Sequence, residues 1–187
     1  MDSRAYLLEA SLIARQIDDA KMEQMAIELS SIRAGGHRLY IIGLGGSLAN
    51  AIHMAADLRK LCEMDAVAPE NMAELTARAN DEGMDTVFTG WLRFLNPGDG
   101  LLVLSVGGGT DAVSAGIAKA ARMAKAVGAR VLGIVGPHGG VTKEVAHCCV
   151  QVPAPAERQT PHTEAFQAVI WHCLVSHPLL QRNATKW

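Results

Sequence analysis

The chain has 187 residues, of which 49% are hydrophobic and only 4% aromatic, and its formal net charge is −2. This length suits one domain with an aliphatic core, and the charge pattern, without a basic run, argues against a nucleic-acid partner. No apolar stretch is long enough to span a membrane, and the four cysteines have no CxxC spacing. We therefore expect a cytoplasmic protein with reduced thiols.

The first part of the chain has a helical pattern. Apolar residues recur at helical spacing from Ser3 to Arg33, which predicts one long helix or two that divide at Asp18–Asp19. Gly35–Gly36 is the expected stop. This leading segment, residues 1–36, is expected to pack on its own core and on neighbouring subunits.

A glycine-rich turn near the start of the chain is the first candidate binding element. Residues 39–42 are typical of a buried strand, and Gly43, Gly45 and Gly46 form a turn before a helix that Ser47 is expected to open. The free amides and the dipole of such a helix start bind anions, most often phosphate. On the same helix, His53 and Asp57 are four residues apart and therefore share one face.

The rest of the chain alternates helices with strands. A short strand is predicted at 65–68 and helices at 70–79 and 84–95. A strand at 101–105, a run of three glycines and a helix opened by Thr110-Asp111 then repeat the first strand–turn–helix unit. Strands at 130–135 and 148–152, a proline-rich linker at 153–161 and a helix at 163–180 complete the prediction.

This alternation predicts a three-layer α/β/α fold, a doubly wound parallel sheet of five strands with helices on both faces and leading N-terminal helices. Both glycine turns follow strands, so they lie at the carboxyl ends where such sheets bind ligands. Residues 43–48 resemble a dinucleotide-binding fingerprint, but Leu48 occupies the place of its third glycine. One small anion held between two helix starts fits better, and glycine turns with a purely structural role are the alternative.

The order and spacing of these features resemble the SIS (sugar isomerase) domain family, specifically its phosphoheptose isomerase type. The similar stretches are GLGGSLANAIHMAADL at 43–58, Asn80–Gly83, Asn96–Asp99 before LLVLS, Gly136–Gly140 and the closing helix with its histidine. The resemblance covers nearly the whole chain, as a single SIS domain over 1–187. It implies an isomerase that converts sedoheptulose 7-phosphate to D-glycero-D-manno-heptose 7-phosphate through an enediol, in a homotetramer or dimer with sites between subunits.

The resemblance also implies which residues hold the substrate. The first turn and the second glycine loop would bind its phosphate, and one aspartate would lie close to the sugar. In this chain these positions are Gly45, Gly46, Ser47, Asp81, Ser105, Gly107, Gly108, Gly109 and Thr110.

A divalent metal ion, expected to be Zn²⁺, is a further implication of the resemblance. Its ligands would be His53, Asp57, Glu164 and His172, with His172 and either Asp57 or Glu164 as the acid and base. Two histidines with two carboxylates are a reasonable zinc set. Glu164 and His172 are about 12 Å apart along a helix, which makes their convergence marginal. Two other histidines are expected at the surface, His162 and His177.

One loop and two single positions depart from the family pattern. Ser105–Thr110 reads SVGGGT in place of STSGNS, Leu44 replaces an asparagine, and Asp57 replaces a glutamate. The shorter side chain draws the carboxylate back by about 1.5 Å, a shift that costs catalysis on the order of a hundredfold unless the site compensates. Glu164 is the candidate for that compensation. An isomerase of another phosphorylated sugar and a non-catalytic SIS protein that binds sugar phosphates or regulates a partner are the alternatives.

Overall fold

The structure is a computed structural model that describes residues 1–186. Its strands are β1 (Leu39–Ile42), β2 (Ala66–Val67), β3 (Gly100–Ser105), β4 (Arg130–Val135) and β5 (Cys148–Gln151). Its helices are α1 (Ser3–Gln16), α2 (Asp19–Ala34), α3 (Gly46–Cys62), α4 (Met72–Glu82), α5 (Val87–Trp91), α6 (Ala115–Val127), α7 (Gly140–Val145) and α8 (Gln159–Val175). A 3₁₀ turn at Ala156–Arg158 leads into α8.

The strands form one parallel sheet in the order β2-β1-β3-β4-β5, which confirms the predicted doubly wound α/β fold. Leu39 of β1 pairs with Ala66 of β2 on one side and with Gly100 of β3 on the other. The chain thus extends the sheet first to one side of β1 and then to the other. The carboxyl ends of β1 and β3 meet at this change of direction, where doubly wound sheets bind ligands.

Each face of the sheet has its own apolar cluster. Alternate strand residues point to opposite faces, so Ile41 and Leu102 pack with α2, α3 and α8, whereas Ile42 and Val103 pack with α5 and α6. The two clusters make the sheet the buried middle layer of three. Within residues 1–186, none of the helices is both long and apolar enough to cross a membrane.

The leading segment is two helices, divided where the sequence predicts. Asp18 is the N-cap of α2, and its carboxylate accepts a hydrogen bond from the Lys21 amide at 3.1 Å. Ile13 is the buried residue of α1, but other apolar side chains on this helix are more than half exposed: Leu7, Leu8 and Leu12.

Several predicted boundaries shift. The helix expected at 84–95 is shortened to α5. A turn flanks it on each side: the Thr86 amide donates to the Gly83 carbonyl before it, and the Leu95 amide donates to the Leu92 carbonyl after it. The closing helix begins at Gln159 rather than at 163 and ends at Val175. Its first turn includes Pro161, a position where the absent N–H costs little.

The four cysteines are free thiols. Cys62 and Cys148 are buried, Cys149 is half-buried and Cys173 is exposed. Burial raises the pKa of Cys62 and of Cys148 to about 11 and that of Cys149 to about 12. These three thiols are therefore protonated and unreactive at neutral pH.

Candidate active site

A cleft of about 340 Å³ opens at the carboxyl ends of β1 and β3. It brings together five of the residues predicted to hold phosphate, namely Ser47, Ser105, Gly107, Gly109 and Thr110. Leu44, Val106, Val113, Ser114 and Thr160 complete its lining. Gly45, Gly46, Gly108 and Asp81, which were also predicted, are not part of the lining. Thr160 shows that the start of α8 also borders the cleft.

The first turn differs from the prediction in one respect, because Ser47 does not open α3. Gly45 is the N-cap, with φ 58° and ψ −127°, and no side chain caps the helix. The Ser47 side chain is instead buried, and its hydroxyl oxygen accepts a hydrogen bond from Nε2 of Gln167 at 3.1 Å. The hydroxyl proton remains available to a ligand in the cleft.

A polar network joins α3 to α8 behind this turn. Nδ2 of Asn50 donates to Oε1 of Gln167 at 3.1 Å and to the backbone oxygen of Glu164 at 2.9 Å. Gln167 is fully buried, so these bonds satisfy an amide that would otherwise be costly to bury. The network fixes the start of α3 against α8, and no local sequence pattern indicates it.

The second glycine loop follows β3 and is longer than predicted. The helix expected to begin at Thr110-Asp111 begins at Ala115. The Thr110 hydroxyl accepts a hydrogen bond from the Val113 amide at 2.9 Å and so closes a turn within the loop. The second candidate anion-binding element is therefore a loop, and the prediction of a second helix start at Thr110-Asp111 was wrong.

Glycine is required in this loop by close packing. Gly108 has φ +71°, and a β-carbon there would overlap the carbonyl oxygen of Gly139. The carbonyl oxygens of Gly108 and Gly109 accept hydrogen bonds from the amides of Thr142 at 3.0 Å and Val141 at 2.9 Å. The start of α7 therefore holds the loop and is not available to a ligand.

A second group of functional side chains lies on α3 and α8. Potential ligand atoms of His53, Asp57 and His172 are all within 4.8 Å of one another. Nε2 of His53 is 3.8 Å from Oδ2 of Asp57, and the imidazole of His53 is 62% exposed. Three of the four predicted metal ligands thus meet, from distant parts of the chain, at a place that solvent reaches.

The orientation of His172 is set by its neighbours. Its Nδ1 lies 2.7 Å from the carbonyl oxygen of Ala168, and because a carbonyl only accepts hydrogen bonds, Nδ1 carries the proton. The lone pair of Nε2 is then free for a metal ion or for a substrate proton. The buried indole of Trp171 stacks on this imidazole at 3.5 Å and meets the His53 ring edge-on at 4.7 Å.

Glu164 and Asp81 lie apart from this group. The carboxylate of Glu164 packs against the α-carbon of Gly46, where a β-carbon would overlap it, at the start of α3. This position places a negative charge at the positive end of the helix dipole. Asp81 is exposed on α4 and accepts a hydrogen bond from Nδ2 of Asn80 at 2.8 Å.

The prediction that His162 lies at the surface was wrong. Its ring is fully buried against Tyr6 of α1 at 4.4 Å, and its Nε2 donates to Oε2 of Glu9 at 2.8 Å. Arg158 also donates two hydrogen bonds to Glu9, at 2.6 and 2.7 Å. These bonds, from Arg158 first and then from His162, lower the pKa of Glu9 to about 2. His177, which was also predicted at the surface, lies just after α8 and is partly buried, with a side chain 17% exposed.

Comparison with known proteins gives a consistent family. The family profile described as SIS domain matches residues 5–136. The phosphoheptose isomerase of Rhodospirillum rubrum is 35% identical over 81% of this chain and 80% of its own length. That of Akkermansia muciniphila is 34% identical over 72% of this chain and 73% of its own.

A solved structure is similar over nearly the whole chain. Phosphoheptose isomerase GmhA from Neisseria gonorrhoeae superposes with a TM-score of 0.82 at 27% identity and covers 92% of both chains. The fold, the sequence matches and the cleft at the carboxyl ends of β1 and β3 all indicate the same family. The chain belongs to the SIS domain family, in the group of its phosphoheptose isomerase relatives.

Proposed function

We propose that the protein is a cytoplasmic aldose–ketose isomerase that converts sedoheptulose 7-phosphate to D-glycero-D-manno-heptose 7-phosphate. The observation that carries this proposal is the meeting of His53 and Asp57 of α3 with His172 of α8, two helices whose starts border the cleft. Ser47 and His53 are about 9 Å apart along α3. A seven-carbon sugar phosphate with bonds of about 1.5 Å covers this distance.

The cleft suits the phosphate end of such a substrate. It offers the hydroxyls of Ser47 and Ser105 and the backbone of Gly107 and Gly109, and no carboxylate lines it within residues 1–186. Successive backbone amides in glycine-rich loops bind anions. This backbone takes over from the side-chain donors that the family has in this loop.

The side chains of α3 and α8 suit the carbonyl end. Isomerisation needs a base that removes the proton from the carbon beside the carbonyl, and an acid that protonates the carbonyl oxygen to give the enediol. His172 serves as the shuttle: with Nδ1 held by Ala168, its free Nε2 can accept a proton and then deliver it as the acid. The base is Asp57 or Glu164; the carboxylate of Asp57 is near both imidazoles.

The same residues fit a divalent metal ion, for which we propose Zn²⁺. Two imidazoles and a carboxylate are a common zinc donor set, and the bond from His172 to the Ala168 carbonyl is the outer-shell support that such ligands have. Glu164 was predicted as the fourth ligand, but its carboxylate lies against Gly46, apart from the other three. A bound ion would act as a Lewis acid on the substrate carbonyl.

We also propose that the protein assembles as a homotetramer or dimer. The exposed leucines of α1, namely Leu7, Leu8 and Leu12, are a surface that a second copy would bury.

The free cysteines agree with the proposed cytoplasmic location, because the cytoplasm is a reducing compartment.

The test is conversion of sedoheptulose 7-phosphate by the purified protein, followed by NMR of the aldose product. We expect turnover that a chelator abolishes and that added Zn²⁺ restores. Binding of the ketose phosphate without conversion, with every divalent ion tried, would instead identify a non-catalytic SIS protein. Conversion of other sugar phosphates but not of this one would change only the substrate.

A further inference from the structure

A second cavity, of about 210 Å³, lies between α4, α5 and the first glycine turn. Its walls include the side chains of Leu48, Leu75, Met84 and Phe88. We call it the apolar pocket. It lies on the face of the sheet opposite to the one against which α8 packs.

The side chains of the apolar pocket offer no free hydrogen-bond donor to a ligand. Its only side chain with a polar atom among residues 1–186 is Thr76, and the hydroxyl of Thr76 donates within α4 to the backbone oxygen of Met72 at 2.7 Å. A hydroxylated sugar placed here would lose its hydrogen bonds to water without replacement. The pocket therefore selects a ligand group without polar atoms.

The apolar pocket and the phosphate cleft share a wall. Leu44 lines both, and Ser47 of the cleft precedes Leu48 of the pocket. Gly45 lines the pocket beside Leu44, and nothing lies within 4 Å of the place where a β-carbon of Gly45 would be. A ligand anchored in the cleft can thus continue past Leu44 into the pocket.

The rim of the pocket can adapt to the ligand that enters. Met72 and Met84 stand there with 59% and 58% exposure. Methionine side chains are flexible and polarisable, and they are frequent at surfaces that accept apolar groups of variable shape.

We propose that the cleft and the apolar pocket form one bipartite site for a phosphate ester with an apolar group, whose phosphate occupies the cleft and whose apolar group occupies the pocket. This deepens the proposed function, because it rests on anion binding in the cleft and adds a substrate or effector class to it. Burial of such a group removes apolar surface from water, and we expect at least about a tenfold gain in affinity.

The test compares phenyl phosphate with inorganic phosphate as probes, by calorimetric titration of the full chain. We expect phenyl phosphate to bind at least about ten times more tightly. Equal affinities would overturn the proposal, as would an absence of phosphate binding. Turnover of sedoheptulose 7-phosphate with equal affinities would leave the proposed function intact, whereas tight phenyl phosphate binding without any turnover would contradict only that function.

A pair of alanine variants locates the phenyl group. Ala79→Met fills the pocket, whereas Ala77→Met adds the same side chain to an exposed position of the same helix. We expect Ala79→Met to bind inorganic phosphate normally, which also reports that it folds, and to lose the tenfold advantage of phenyl phosphate. Ala77→Met should keep that advantage. An unchanged advantage in Ala79→Met would place the ring elsewhere and refute the bipartite site.

Discussion

Trp171 is the residue through which the two candidate metal-binding imidazoles meet the core. Its indole is fully buried, which fixes its position. The indole stacks on the imidazole of His172, and the imidazole of His53 meets it edge-on. A side chain held in this way restricts the rotation of the ring that lies on it. The core therefore orients the site directly, through an aromatic residue adjacent in sequence to the proposed ligand.

This contact gives metal binding an optical signal. Titration with Co²⁺, which quenches a nearby indole, should reduce the tryptophan fluorescence of the wild-type protein. Trp171→Phe should remove the metal-dependent part of the signal, and Trp91→Phe should retain it, because Trp91 packs on Tyr40 and not on the imidazoles. If Trp171→Phe kept the full response, the ion would bind elsewhere.

Glu164→Gln distinguishes the two candidate bases. The amide keeps the size of the side chain and an oxygen that can bind a metal, but it cannot take a proton. If Glu164 compensates for the short Asp57, turnover should fall on the order of a hundredfold or more, with metal affinity in calorimetry retained. Full turnover in this variant would assign the base to Asp57.

At the scale of elements, the loop after β3 depends on close contact with the start of α7. Gly108→Ala should lower the free energy of unfolding by about 1–3 kcal/mol, because alanine is strained at positive φ and would meet the Gly139 carbonyl. Gly107→Ala is the matched control, since nothing lies within 4 Å of its added carbon. Denaturant unfolding of both variants measures this. Equal losses would mean that the loop is not packed as described.

The tie between α1 and α8 should appear in the acid stability of the protein. Folding lowers the pKa of Glu9 from 4.5 to about 2, chiefly through Arg158. Its contribution is therefore complete above pH 4.5 and is lost as the pH falls toward 2. Glu9→Gln should be less stable than wild type at neutral pH, and the difference should shrink through this window.

Unfolding of the two proteins at a series of pH values gives this comparison. Glu70→Gln, at an exposed glutamate outside the tie, serves as the control. A constant difference between Glu9→Gln and wild type across the window would show that Glu9 does not titrate with folding.

The elements that the sequence predicted well have local signals. β1 and β3 are short apolar runs that lead into glycine-rich turns, and the division between α1 and α2 falls at Asp18, the N-cap of α2. Features that were missed depend on contacts between distant residues. Ser47 is turned inward by Gln167, and His162 is buried by Glu9, partners that lie 120 and 153 residues away. No local pattern encodes such pairs.

At the scale of the whole molecule, the parallel sheet explains why chemistry from both ends of the chain converges. α3 follows β1 near the start of the chain and α8 follows β5 at its end, yet both pack on the same face of the sheet. The family resemblance implied that His53, Asp57 and His172 are neighbours, and the structure brings them together. The resemblance could not give the position of Glu164, because a side chain on α8 can point either to the metal group or to the start of α3.

The most direct test of this account is the turnover of sedoheptulose 7-phosphate by Asp57→Asn compared with wild type, under equal zinc. Asp19→Asn, which makes the same change at an exposed position of α2, is the control. We expect wild type and Asp19→Asn to form the aldose at equal rates, and Asp57→Asn to be slower by about a hundredfold or more. Undiminished turnover in Asp57→Asn would contradict the account.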